Sequence, residues 1–283
     1  MCLDQTMSEA WHCGRFGLPL TRPLVMGVVN VTPDSFSDGG RFARFEAALA
    51  HARQLIDEGA DILDLGGEST RPGAADVGID EELARVIPLV EALRDCGTPL
   101  SVDTSKPEVM RAALATGAAI VNDVRALVAP GAVEAVAAND CGVVLMHLQG
   151  SPRTMQQQPL YADVVREVAA FLAARRDALV AAGVARERIA LDPGFGFGKT
   201  LEHNLALLRG LGEFAALGQP LVAGLSRKSM LGAIAGKPVT ERLAASVAAA
   251  LLAVQRGAQV VRVHDVAATR DALAVWRAAE DGI

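Results

Sequence analysis

Eight places along this chain put a polar side chain directly after a short apolar run. They are Asn30, Asp64, Asp103, Asn122, Met146 with His147, Asp192, the run Ser226-Arg227-Lys228-Ser229, and Arg262 with His264. The apolar runs carry almost no other polar residue. One such group is absorbed by a helix cap, since Asp and Asn are good caps. That is the better reading for Asp123, and it stays open for Asp103, just ahead of Thr104-Ser105-Lys106-Pro107. The whole set is harder to absorb. Carboxylates and amides converging in one mouth repel, or stay unsatisfied, without a ligand to pair with.

The residue types divide into two chemistries. Asp64, Asp103, Asp192 and Asn122 suit a ligand rich in ring N–H and amino donors, such as a guanidine-like heterocycle. Arg71, Arg227, Lys228, Arg262 and His264 suit an anionic group such as phosphate. Asn30 and Asp38 offer hard oxygen atoms to Mg²⁺, which commonly bridges a few protein oxygens and substrate phosphates. A heterocycle joined to a pyrophosphate satisfies both halves.

The stretch Asp64-Leu65-Gly66-Gly67-Glu68-Ser69-Thr70-Arg71-Pro72-Gly73 places permissive, polar loop chemistry just beyond an apolar strand. Its Gly-Gly and Pro-Gly borders read as hinges of a lid, of the kind common where water must be excluded. Asp64 itself reads as mostly structural, supporting Arg71 or the strand end.

Other motifs are excluded. Asp192-Pro-Gly-Phe-Gly-Phe-Gly-Lys-Thr200 is one residue short of a phosphate loop, because the first glycine required falls on Pro193. Its glycines are expected to turn the backbone and present Phe197 to a flat ring, with Lys199 a solvated lysine. Ser226, Ser229 and His264 form no recognisable nucleophile set.

The elements that position these residues repeat strictly. Leu24 to Val31 is apolar at nearly every position, the mark of a strand buried on both faces in a parallel sheet. A helix is expected over 43–58, ended by Gly59. Further strands are expected at 62–65, 100–103, 119–123, 143–147, 189–192, 221–225 and 260–264. Helices are expected between them, at 80–95, from Pro107 to Gly117, at about 130–139, 162–182, 202–211, 229–235 and 240–256, with a last one running to about 280. Strict strand–helix alternation implies a parallel sheet. Eight units in this length fit a closed (β/α)8 TIM barrel, an α/β fold that commonly takes about 250 residues. The expected organisation is a short extension or hairpin over residues 1–22, capping one barrel end, and a single barrel domain over 23–283.

Composition narrows the class. The chain has 283 residues, 51% of them hydrophobic, and a net charge of −6. That balance argues against a nucleic-acid surface. No apolar run reaches the roughly 18 residues of a membrane helix, and the first residues lack the apolar core of a signal peptide. The expected location is the cytoplasm. Cys2, Cys13, Cys96 and Cys141 are scattered, without metal spacing, and read as reduced thiols.

At this point the chain resembles dihydropteroate synthase of the folate pathway. The resemblance rests on Met26-Gly-Val-Val-Asn-Val-Thr-Pro-Asp-Ser-Phe-Ser-Asp-Gly-Gly40, Gly66-Gly-Glu-Ser-Thr-Arg-Pro-Gly73, Ser101-Val-Asp-Thr-Ser-Lys-Pro107 and Asn122-Asp123. It continues through Leu145-Met-His-Leu-Gln-Gly150, Leu191-Asp-Pro-Gly-Phe-Gly-Phe-Gly-Lys199, Ser226-Arg-Lys-Ser-Met230 and Arg262-Val-His-Asp265. The resemblance implies a transferase that joins a hydroxymethyl-dihydropterin diphosphate to p-aminobenzoate, releasing pyrophosphate.

It also implies roles, matched by motif. Asp103, Asn122 and Asp192 would hydrogen-bond the pterin, in a pocket lined by Met146, Phe197 and Lys228. Arg262 and His264 would hold the pyrophosphate, with Thr70 beside it. Asn30 would bind Mg²⁺, joined by Asp38. Phe36, Thr70, Arg71, Pro72, Lys228 and Ser229 would form the p-aminobenzoate site. Asp103, Lys228, Arg262 and Asn30 would be the catalytic set. A homodimer through the late helices is implied, consistent with the Ala/Leu-rich stretch 243–254. The alternatives are a non-catalytic barrel relative and a pterin-binding methyltransferase domain. The latter should lack both the Ser-Thr-Arg-Pro loop and the Ser-Arg-Lys run.

Overall fold

The structure is a computed structural model that describes residues 9–31, 41–69, 76–150 and 154–281. Strands β1 (Ala10–Cys13) and β2 (Phe16–Pro19) form an antiparallel hairpin. Then come β3 (Leu24–Asn30), β4 (Ile62–Gly66), β5 (Leu100–Asp103), β6 (Ile120–Asp123), β7 (Gly142–Met146), β8 (Ile189–Asp192), β9 (Val222–Ala223) and β10 (Val260–Val263). These pair in the order β8-β7-β6-β5-β4-β3-β10-β9, all parallel. A parallel bridge from Leu191 to Leu221 closes the ring. There the Leu191 N–H donates to the carbonyl of Pro220 at 2.8 Å. The result is the expected (β/α)8 barrel.

Helices α1 (Arg41–Asp57), α2 (Ile79–Leu93), α3 (Pro107–Thr116), α4 (Ala132–Ala137), α5 (Val164–Ala181), α6 (Leu201–Arg209), α7 (Ser229–Ala235), α8 (Leu243–Gln255) and α9 (Val266–Asp281) alternate with the strands. Local chemistry sets their ends. Asp163 caps α5 by accepting from the N–H groups of Val165 and Arg166. Pro107 opens α3, where its missing N–H costs nothing. Gly117 closes it at φ 127°, a conformation other residues resist, and returns its N–H to Ala113 and Leu114. The strand expected over 221–225 is regular only at Val222–Ala223, with Leu221 adding the single bridge to Leu191. Beyond that the chain departs through Gly224 to Arg227, which sits at φ 58°. Among the described residues, no helix is long and apolar enough to cross a membrane.

Strand alternation sorts the side chains. Outward residues such as Val25, Val29, Leu63, Leu65, Val102 and Val261 pack on the helices. Inward residues Met26, Ile62, Ile120, Val144, Ala190 and Val260 fill the lower barrel, where Trp11 and Cys13 of the hairpin cover them. The next inward positions on the same strands are Asp64, Asn122, Asp192 and Arg262, all polar, with Val28 and Met146 as the apolar exceptions. The period of two along a pleated strand thus fills one end with hydrocarbon and the other with polar groups.

Candidate active site

The carboxyl ends of the strands enclose a cavity of about 380 Å³. Behind its lining residues Arg262 and Asn122 lies Asp64, fully buried. Its Oδ1 accepts from Ser101 Oγ at 2.6 Å. Its Oδ2 accepts from Arg262 Nε at 2.6 Å and from Asn122 Nδ2 at 3.1 Å. Arg262 continues through Nη2 to Asp103 Oδ2 at 2.9 Å. Burial pushes the Arg262 guanidinium down, but Asp64 and Asp103 outweigh it and hold its pKa above the ordinary value. Burial pushes the Asp103 carboxyl up to about 7, against the pull of Arg262 and with a further push from Asp64. Asp64 therefore supports Arg262, and no helix-cap role falls to Asp103. The cap position of α3 is Lys106, which makes no side-chain cap bond.

Asn122 spends its amide on Asp64, which leaves its carbonyl oxygen for the cavity it lines. Its neighbour Asp123 points the other way. It takes Ser105 Oγ at 2.5 Å and the N–H groups of Arg125 and Leu127 at 2.8 Å each. Those bonds fix a turn in which Ala126 and Leu127 adopt positive φ. Asp123 is therefore not the helix cap its residue type suggested: its bonds hold a loop turn, and the cap position of α4 is Gly131.

Two strands from Asn122, beyond β7, Asp192 accepts from the Gly194 N–H at 2.7 Å. Burial raises its pKa against that bond and the charge of Lys228. Met146, Phe197, Val124 and Met155 make an apolar cluster beside these polar groups. The Lys228 ammonium stands 3.9 Å from the centre of the Phe197 ring, a cation–π distance. A flat ring finds here an apolar wall and a rim of acceptors.

The anion half is built on β10 and the turn after β9. The His264 N–H donates to Ser226 Oγ at 3.2 Å, and the same hydroxyl lies 3.0 Å from His264 Nδ1. Arg227, expected to face an anion, forms a two-pronged pair with Asp265, at 2.5 and 3.2 Å. Arg242, on the residue before α8, donates to the carbonyls of Arg227 and Lys228 at 3.0 and 3.3 Å. Ser229 lines the cavity beside Lys228.

Asn30 stands at the end of β3 and lines the cavity. A Cβ added to Gly66 would meet Asn30 Oδ1 at 3.4 Å and Asp103 Oδ2 at 4.0 Å. These are ordinary contact distances, so the oxygens of Asn30 and Asp103 flank the bare glycine as hard donors of the kind a small divalent cation takes. Among the described residues there is no cluster of three or more His, Cys, Asp or Glu able to hold a metal. Five of the expected site residues, Phe36, Asp38, Thr70, Arg71 and Pro72, lie outside the described residues.

Lys199 corrects its expectation. It is 3% exposed, not solvated. Its ammonium is spent on loop carbonyls, to which the glycines allow close approach. Val124, Met155, Ser226 and Arg242 are cavity residues the sequence reading left unassigned. Ser226 sits inside a motif already singled out and Val124 directly follows one, whereas Met155 and Arg242 carry no local signal.

Fold and cavity together define a barrel protein whose strand-end site suits a flat polar ring beside an anion. The family model described as "Pterin binding enzyme" matches residues 26–264. A dihydropteroate synthase of Neisseria meningitidis serogroup B is 55% identical over 277 residues, covering 95% of this chain and 97% of that relative. The crystal structure of Burkholderia cenocepacia dihydropteroate synthase complexed with 7,8-dihydropteroate superposes at TM-score 0.89, with 56% identity and 98% of each chain covered. Xanthomonas albilineans dihydropteroate synthase with 4-aminobenzoic acid does so at 0.90, with 54% identity, covering 96% of this chain and 98% of that one. The chain belongs to the dihydropteroate synthase family.

Proposed function

We propose that this chain joins a hydroxymethyl-dihydropterin diphosphate to p-aminobenzoate, giving 7,8-dihydropteroate and pyrophosphate. The observation that carries the reading is Arg262, tied to Asp103 and Asp64 in a cavity that Asn122, Asp192 and Phe197 also line. In this reading Asp103, Asp192 and the Asn122 carbonyl take the ring N–H and amino donors of the pterin. Met146, Phe197 and Lys228 hold its faces. Arg262 and His264 receive the pyrophosphate. Lys228 and Ser229 reach the second substrate, with Phe36, Thr70, Arg71 and Pro72 assigned there by motif.

The chemistry follows from these placements. The methylene–oxygen bond breaks and both its electrons leave with pyrophosphate. Fixed cations facing the departing oxygen lower that barrier, because charge develops there. The electron-rich ring carries the cation left on the methylene carbon, and the Asp103 carboxylate stabilises it. The aryl amine then forms the C–N bond and gives up a proton. It needs no strong base, consistent with the absence of a nucleophile–base pair in the sequence.

Asn30 would hold Mg²⁺, joined by Asp38. When bound, the ion supplies positive charge to the pyrophosphate oxygens. A homodimer through α7 and α8 is supported by the exposed Ile234, Leu243 and Leu252. Light scattering at micromolar concentration tests it, and a monomer mass refutes it.

The deciding experiment gives the purified protein the pterin diphosphate, p-aminobenzoate and Mg²⁺ and follows pyrophosphate. Steady release that depends on p-aminobenzoate is expected. No release would defeat the enzyme reading.

A further inference from the structure

Lys199 does not line the cavity, yet it is among the most buried charged groups described. Its Nζ donates to the carbonyls of Gly194 and Phe197 at 2.9 Å each and reaches that of His147 at 3.4 Å. It also lies 3.0 Å from His147 Nδ1. Burial, then Lys199 itself, pushes His147 down to about 3, so the ring is neutral and Nδ1 serves as acceptor. A desolvated ammonium is tolerated only where acceptors replace water. Burial brings Lys199 down to about 7 even with Asp192 opposing. Such a group is costly to keep, and nothing in the fold of the lower barrel requires it.

Its acceptors belong to two segments. His147 follows β7, and Gly194 and Phe197 lie in the loop after β8. The same segments are joined by the His147 N–H to the Asp192 carbonyl at 3.0 Å. Their fit leaves no slack, since a Cβ on Gly194 would sit 1.9 Å from the His147 carbonyl oxygen and one on Gly198 2.6 Å from that of Gln149. The cavity side of this loop presents Asp192 and Phe197, with Lys228 against the Phe197 ring. In a phosphate loop the lysine faces the ligand; here it faces its own loop.

We propose that Lys199 is a positioning residue for the ring-binding wall. Its ammonium clamps the 194–197 loop to the end of β7 and so sets the Asp192 carboxylate and the Phe197 ring at the spacing that a flat, N–H-rich heterocycle needs. The inference rests on reading the cavity as a pterin site. It assigns Lys199 to the ring half alone, because Arg262 and His264 are held instead by Asp64, Asp103 and Ser226.

The test separates the halves. Calorimetry on the full chain, wild type and Lys199→Met, measures binding of a hydroxymethyl-substituted pterin alone and of inorganic pyrophosphate with Mg²⁺ alone. We expect the pterin Kd to rise about thirtyfold, the scale of a lost charged hydrogen bond, and the pyrophosphate Kd to stay within about twofold. A uniform structural lesion would weaken both, and that result, or unchanged pterin binding, overturns the proposal. If Lys199→Met does not fold, Lys199→Arg takes its place. It keeps the charge but not the compact three-donor head, so a rise of about fivefold for pterin alone is expected and an unchanged value overturns. Wild-type protein that takes up no pterin would defeat the reading of the cavity and this inference with it. Wild-type uptake with an unaffected variant would defeat the inference alone.

Discussion

Arg262 and Asp64 stand 198 residues apart in the chain, and their side chains meet at 2.6 Å under the cavity. Asp64 has no exposure, and among the described residues its charge is met by Arg262, Ser101 and Asn122. Removing one partner of a buried pair costs about 3–5 kcal/mol, because the other charge stays buried. Asp64→Asn is therefore expected to lower unfolding stability by about 3 kcal/mol. It should also cut turnover at least a hundredfold, about 2.7 kcal/mol in the barrier, since the guanidinium loses its anchor. Urea unfolding and initial rates check both. A variant near wild type in the two measurements would remove Asp64 from the account.

Lys228 is predicted to matter to chemistry more than to folding. It sits at the start of α7 over Phe197, and it makes no side-chain cap bond to that helix. Lys228→Ala should remain folded, with a melting temperature within a few degrees of wild type, while turnover falls by about a hundredfold. Near-normal turnover would show the Lys228 assignment to be wrong.

The Asp103 carboxyl gives a pH prediction. Its pKa rises from 3.8 to about 7 in the fold, mainly through burial. Between those values the folded state holds a proton that the unfolded state has released. This contribution to stability is present below about 3.8 and is lost as pH rises through about 7. Binding of the pterin runs the opposite way, because the ring N–H donors need the carboxylate. Pterin affinity should therefore fall as pH drops below about 7, and the Asp103→Asn profile should be flatter as well as weaker. Titrations from about pH 5.5 to 8.5 that show the same slope in both proteins would sink the assignment.

The residues named from strand ends gather around one cavity, but the bonds between them are not legible in the sequence, for reasons visible in particular residues. Asn122 and Asp192 end apolar runs, and period-two alternation turns each of them inward. The same rule sends Asp123 outward to Ser105, which the residue type alone does not reveal. Asp64 was legible as a strand-end carboxylate, but its partner comes from the last strand of the barrel, and closure of the ring is a long-range event. Lys199 reads as solvated because it follows three closely spaced glycines. Its burial follows from close backbone approach at Gly194 and Gly198, a property of packing rather than of composition. Lys106 belongs with it, since its bonds to Glu68 at 2.7 Å and Glu82 at 2.5 Å join three segments.

The far end of the barrel supplies a contrasting prediction. Trp11 is fully buried in the hairpin, and its Nε1 donates to the Arg188 carbonyl at 2.9 Å. It packs with Met26, Ile62, Val144 and Ala190 at the amino ends of the strands, away from every group that lines the cavity. Barrel enzymes concentrate stability at that face and chemistry at the opposite one. Trp11→Ala opens a void and orphans a carbonyl, a loss of about 3–5 kcal/mol. Assayed well below its melting temperature, the folded variant should keep kcat/KM within about twofold of wild type, or 0.4 kcal/mol. Urea unfolding and initial rates on the same preparation supply the comparison. A fall in turnover as large as that of Asp64→Asn, in protein shown to be folded, would mean that the hairpin is coupled to the site through the barrel interior.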